Sequence, residues 1–151
     1  MKELTVTAGR HFSVWIAAIV FFVLGAIWYT VLSTHWLTAI GKTMAEITAE
    51  QRGSPLPYII GFVAILVMCY ALSWLIERLQ STTFAGGMGV GASIALCFIA
   101  ANLALNYGFE WRPVTLWLIN GAYAVIGLAI AGAIIGGWKR RPVNAPRAGE
   151  R

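Results

Sequence analysis

From Val114 to Gly137 the chain reads VTLWLINGAYAVIGLAIAGAIIGG without a charged residue, and Trp138-Lys139-Arg140-Arg141 closes the run. As a helix rising about 1.5 Å per residue, this stretch is roughly 36 Å long. A bilayer's hydrocarbon layer is about 30 Å thick, so the run spans it with some tilt. Three comparable runs precede it. Phe12–Ser33 is uncharged, as is Pro55–Ile76, and Leu79–Phe109 is uncharged for 31 residues. The last is too long for one straight span. Its polar start, Gln80-Ser81-Thr82-Thr83, places the third span at Met88–Tyr107. The expected spans are therefore about 12–33, 56–76, 88–107 and 114–137, within one transmembrane domain over 1–138. Residues 139–151 follow as a basic cytoplasmic tail.

Composition closes off the alternatives. Of the 151 residues, 59% are hydrophobic and 11% charged, where soluble domains carry about 25% charged residues. A soluble fold of this length has too little polar surface to cover so much apolar area. The net charge of +5 gathers in the tails, a pattern suited to anionic lipid headgroups. A nucleic-acid site needs a basic face with aromatics for stacking, and the tail WKRRPVNAPRAGER offers one Trp at the membrane edge. No nucleic-acid partner is expected. The first apolar run is longer than a signal-peptide core, and Thr34-His35-Trp36-Leu37 makes a poor cleavage site, so an uncleaved helix is expected. Cys69 and Cys97 fall inside predicted spans with no CxxC motif, and both read as small buried apolar side chains.

Between the first two spans, Trp36, Leu37, Ile40, Met44 and Ile47 recur at three- and four-residue steps. Thr43-x-x-Glu46 has the form of a capping box. One short interfacial helix is expected there, ending at Gly53; the competing reading is a loop packed on the helix ends. The fold class that follows is an all-α integral membrane protein, a four-helix up-down bundle with antiparallel neighbours. With the N-terminus inside, eight Lys and Arg lie on the inner side (Lys2, Arg10, Arg78, Lys139, Arg140, Arg141, Arg147, Arg151), against Lys42, Arg52 and Arg112 outside. That asymmetry places both termini in the cytoplasm. Trp15, Trp28, Trp74, Trp117 and Trp138 fall near predicted span ends, where amphipathic rings prefer to lie.

The chemistry on offer is sparse. The chain has no Asp, and no Glu, Lys, Arg or His lies in mid-span. Proton-coupled carriers and ion pathways are usually marked by such a residue. His11 and His35 lie at opposite ends of the first span, so no metal site is expected, nor any cofactor or catalytic set. What remains is neutral. Tyr29, Asn102, Asn106, Asn120 and Tyr123 share the outer half of three spans, with Glu110 beyond Asn106 on the same four-residue spacing. Together they form a candidate ligand site for a neutral or lipid-like molecule; the competing reading is interhelical hydrogen bonding. Small residues form a second pattern. Gly87 and Gly91, and Gly127, Gly132 and Gly136, make faces that permit close helix packing within the chain or between copies.

Gly25-Ala26-Ile27-Trp28-Tyr29, then Trp36 and Gly41-Lys42-Thr43, and Asn120-Gly121-Ala122-Tyr123 resemble a bacterial membrane family called domain of unknown function 1761. The resemblance covers about Phe12 to Trp138. It implies four spans in a bacterial inner membrane and implies no activity, and it singles out Trp28, Tyr29 and Asn120. The expected role is a non-catalytic membrane protein, a homo-oligomer or accessory subunit in contact with the lipid bilayer. The alternative is a carrier or binding protein using the outer polar cluster. The orientation has a direct check: in intact cells an impermeant thiol reagent is expected to label Lys42→Cys and not Arg147→Cys. Labelling of both from one side overturns the orientation.

Overall fold

The computed structural model describes residues 2–138, with side chains from residue 11 onward; the tail expected at 139–151 lies outside the described residues. The chain folds into α1 (Lys2–Val31), α2 (Ser33–Ile40), α3 (Met44–Gln51), α4 (Leu56–Arg78), α5 (Phe84–Ile94), a π-helical segment (Ala95–Ala100), α6 (Ala101–Phe109) and α7 (Val114–Trp138). α5, the π segment and α6 form one continuous rod. Four stretches are long and apolar enough to cross a membrane: His11–Val31, Leu56–Arg78, Phe84–Phe109 and Val114–Trp138. The protein is a four-span helical membrane protein.

α7 is the central helix. It packs most extensively on α5, and also on α1, α4, α2 and the π segment. Lipid tails are as apolar as leucine, so helices in a bilayer gain little from hydrophobic burial and associate through close van der Waals contact. The α5–α7 pair shows how close that contact is. A Cβ at Gly87 would collide with the Gly132 carbonyl oxygen, and one at Gly132 with the Gly87 carbonyl. One at Gly91 would strike the Leu128 carbonyl, and one at Gly136 would lie 2.5 Å from the Thr83 carbonyl. Of the two readings of these glycines, packing within the chain is the one observed.

α1 meets α7 by a reciprocal exchange. The Phe21 ring of α1 occupies the space a Cβ on Gly127 would need, and the Tyr123 hydroxyl of α7 would lie 2.6 Å from a Cβ on Gly25. Each helix thus supplies one ring and one glycine to receive its partner's ring, and the two rings touch, with centroids 5.1 Å apart. α4 completes the core with Ile65, Cys69, Leu72 and Ile76 against Val14, Ala17 and Ala18 of α1 and Leu128, Ala131 and Ile135 of α7. This core lies toward the α4–α5 turn. At the other end, residues 55–60 are all exposed. Six consecutive residues cover every face of a helix, so the start of α4 stands clear of its neighbours.

The connections differ from expectation in two places. The single interfacial helix is two. Gly41 takes a left-handed conformation (φ 71°) and ends α2, while Thr43 caps α3 with the reciprocal Glu46 bonds of the expected capping box. Those bonds, first from the Thr43 backbone N–H and then from its hydroxyl, hold the Glu46 carboxyl below its usual pKa. The third span begins at Phe84 rather than Met88. The Thr83 hydroxyl caps it, accepting from the Gly86 N–H at 3.0 Å, so the polar run before it is a helix cap. α4 and α6 both end in Schellman turns whose left-handed residue is not glycine. These are Gln80 (φ 52°) and Trp111 (φ 56°), with Ser81 N–H to Ile76 C=O at 3.1 Å and Arg112 N–H to Tyr107 C=O at 2.9 Å. Cys69 is buried as expected, but Cys97 is exposed; both are free thiols.

The π segment sets the phase of the third span. Tyr107 follows Gly91 by sixteen residues, which in an unbroken α-helix of about 100° per residue would set the two roughly 160° apart. One surplus residue in an i→i+5 turn lags the helix by about 100°. That lag returns Tyr107 toward the side that Gly91 presents to α7.

Two glycines of α5 give an internal control. A Cβ at Gly89 meets nothing within 4 Å. Gly87→Ala is expected to destabilise the fold by about 1–3 kcal/mol through overpacking against backbone, while Gly89→Ala is neutral or stabilising by up to about 1 kcal/mol through helix propensity. Reversible unfolding in bicelles reads both; equal effects would contradict the backbone contact.

Candidate functional site

Four of the relevant side chains, from three spans, meet at one level of the bundle, and Trp36 of α2 joins them. The Tyr29 hydroxyl of α1 donates to the Asn120 carboxamide oxygen of α7 at 2.9 Å. The Asn120 Nδ2 donates to the Tyr107 hydroxyl of α6, also at 2.9 Å. A primary amide both accepts and donates, so one Asn bridges two tyrosines on opposite sides of α7. One turn away, Tyr123 donates to the Phe21 carbonyl over a long 3.4 Å. Its ring stands edge-on to Tyr29, with centroids 5.3 Å apart, and Trp36 of α2 closes on the other side of Tyr29 at 5.7 Å.

Two indoles brace this group from the backbone. Trp28 Nε1 donates to the Ile119 carbonyl at 3.1 Å. Trp117 Nε1 donates to the Ala100 carbonyl, the last residue of the π segment, at 2.8 Å. A tryptophan N–H in an apolar setting needs a partner, and here each indole ties α7 to a neighbouring span. The Tyr, Trp and Asn side chains of this group are all half-buried.

Of the six candidate residues, the fold brings Tyr29, Asn120 and Tyr123 together. It leaves Asn102 and Asn106 exposed on the third span, and among the described residues neither amide makes a hydrogen bond. Glu110 is exposed in the α6–α7 turn, 3.2 Å from Arg112, a surface pair of little energetic weight. The convergence of five polar groups on one cavity is therefore reduced to three, joined by Tyr107. An open depression on the third span is lined by Ala104, Leu105, Gly108, Phe109 and Trp111 and touches none of the six. Among the described residues, no three His, Cys, Asp or Glu side chains gather as a metal site. What the arrangement can do is hold: it fixes three spans and α2 at one depth, with its main hydrogen-bonding groups turned on one another.

Asn120→Leu removes both bridges. With such bonds worth on average about 0.6 kcal/mol and at most about 1.7 each, a loss of about 1–3 kcal/mol is expected in reversible unfolding. A double-mutant cycle of Tyr29→Phe with Asn120→Ala should return a coupling near 0.6 kcal/mol; zero coupling would mean that the bond is not made in the membrane.

Among the residues that carry the family resemblance, Gly25, Trp28, Tyr29, Trp36, Asn120 and Tyr123 form one contact set, while Gly41-Lys42-Thr43 make the turn between α2 and α3. Gly25 receives the Tyr123 ring, Trp28 bonds to the residue before Asn120, Tyr29 bonds to Asn120 itself, and Trp36 packs on Tyr29. No curated protein and no solved structure matches the chain. The model of a family described as "Protein of unknown function (DUF1761)" matches residues 12–136, and over that nearly complete stretch the chain belongs to this family.

Proposed function

We propose that this protein is a non-catalytic, multi-pass component of a bacterial inner membrane. It has both termini in the cytoplasm and works by lateral association, as a homo-oligomer or as an accessory subunit. The observation that carries this reading is uneven burial. Half of the apolar stretch of α7 is buried inside the protein, against 28% for α1 and α4 and 17% for the third span. The third span therefore offers most of its surface to the bilayer and to whatever shares it. The non-catalytic part draws on the sequence, which has no Asp and no mid-span ionisable residue.

The small-residue faces lend this reading no support, since Gly87, Gly91, Gly132 and Gly136 are consumed in the α5–α7 contact. Ligand carriage through the outer polar cluster draws still less. Tyr29, Asn120 and Tyr107 are bonded to one another, and Asn102, Asn106 and Glu110 lie outside their group. The test is the mass of the full-length protein taken from its own membrane in native lipid discs. Particles of two or more 16.4 kDa copies, or of a larger mixed complex, are expected. A uniform single copy would sink the reading.

A further inference from the structure

We infer that a second copy of this chain docks along the strip Phe98–Asn102–Leu105–Phe109 of the third span, with Asn102 pairing to its own counterpart across a twofold axis. The inference rests on the self-association reading above and names the face. The four residues follow at steps of four, three and four, the 3.5-residue period of a helix–helix seam. All four are exposed, Phe98 at 66%, Leu105 at 58% and Phe109 at 82%. Asn106 lies beside the strip, also exposed. Facing lipid, an asparagine amide has neither donor nor acceptor available, and polar residues of this kind hydrogen-bond across helices in membranes.

The occupant follows from self-complementarity. Two copies in one membrane share an orientation, so a twofold axis along the bilayer normal sets the third spans side by side and parallel. Residues on such an axis meet themselves, as in any isologous contact. An amide can donate to and accept from an identical amide, so Asn102 needs no partner of different chemistry. One asparagine in an apolar seam also fixes register, because slipping the helices would leave both amides unpaired. Leu105 and Phe109 border the depression that includes Ala104 and Gly108, and these small residues leave room for the side chains of a neighbouring helix. No other span carries an exposed pair of amides at this spacing among the described residues.

The test uses the full chain in its membrane, with Cys69→Ala and Cys97→Ser as background. Single cysteines are placed at Leu105 or Phe109, and at Val63 on the exposed start of α4. Oxidation is expected to give a cross-linked dimer from the first two sites and not from Val63. Separately, Asn102→Leu should weaken dimerisation by about threefold to tenfold, read by energy transfer in lipid vesicles. This lipid-facing change leaves the internal packing alone. Dimers that cross-link through Val63 and not through Leu105 overturn this face while leaving self-association standing. Unchanged dimerisation in Asn102→Leu overturns the amide pair. A protein that stays monomeric in all these measurements overturns both the face and the reading beneath it.

Discussion

Backbone lies against backbone where α5 crosses α7, and the rest of the bundle takes its position from that contact. In a bilayer there is no water to drive apolar surfaces together, so the gain from association depends on how closely two helices approach. Gly87, Gly91, Gly132 and Gly136 remove the side chains that would hold α5 and α7 apart. α7 is then committed on one side to α5 and free on the other to receive α1, which it does by trading Phe21 and Tyr123 into opposing glycines. α4 closes the core on the remaining flank, from Phe62 and Ile65 onward, beyond its exposed first turns.

The polar network stands on this frame and does not create it. Asn120 lies on α7, which packs on all three other spans, so a single amide can reach hydroxyls on two of them. The bonds are modest in energy by the measure of other membrane proteins. Their value is geometric: they select one rotation of α1 and one of α6 about α7, which van der Waals contact between smooth helix faces would define poorly.

How much of this was legible beforehand varies with the kind of signal. The four spans were legible because charge-free runs of that length have few other homes. The fourth was expected at 114–137 and is found at Val114–Trp138. Thr43 and Glu46 announce their capping box, but the apolar stripe runs on across Gly41 and hides the stop that divides two helices. At Thr83, polarity reads as distance from the membrane but is a helix cap. In the polar cluster, depth groups Tyr29, Asn120 and Tyr123, which the fold does bring together, with Asn102 and Asn106, which share that depth but not that face. Tyr107 faces α7 beyond a π turn that a uniform α-helical phase does not show. Nothing in Ala95-Leu96-Cys97-Phe98-Ile99-Ala100 advertises a π turn; the structure shows it packed on α7, with Trp117 bonded to its last carbonyl.

That π turn means that the azimuth of the third span is stored as a single surplus residue. Losing one residue between Ala95 and Ala100 would shorten the rod by little more than an ångström, yet swing everything beyond it by roughly a quarter turn. The tyrosine that now meets Asn120 would point elsewhere, and a different strip of the helix would come round to face the lipid. In this segment, counting residues matters more than conserving their character.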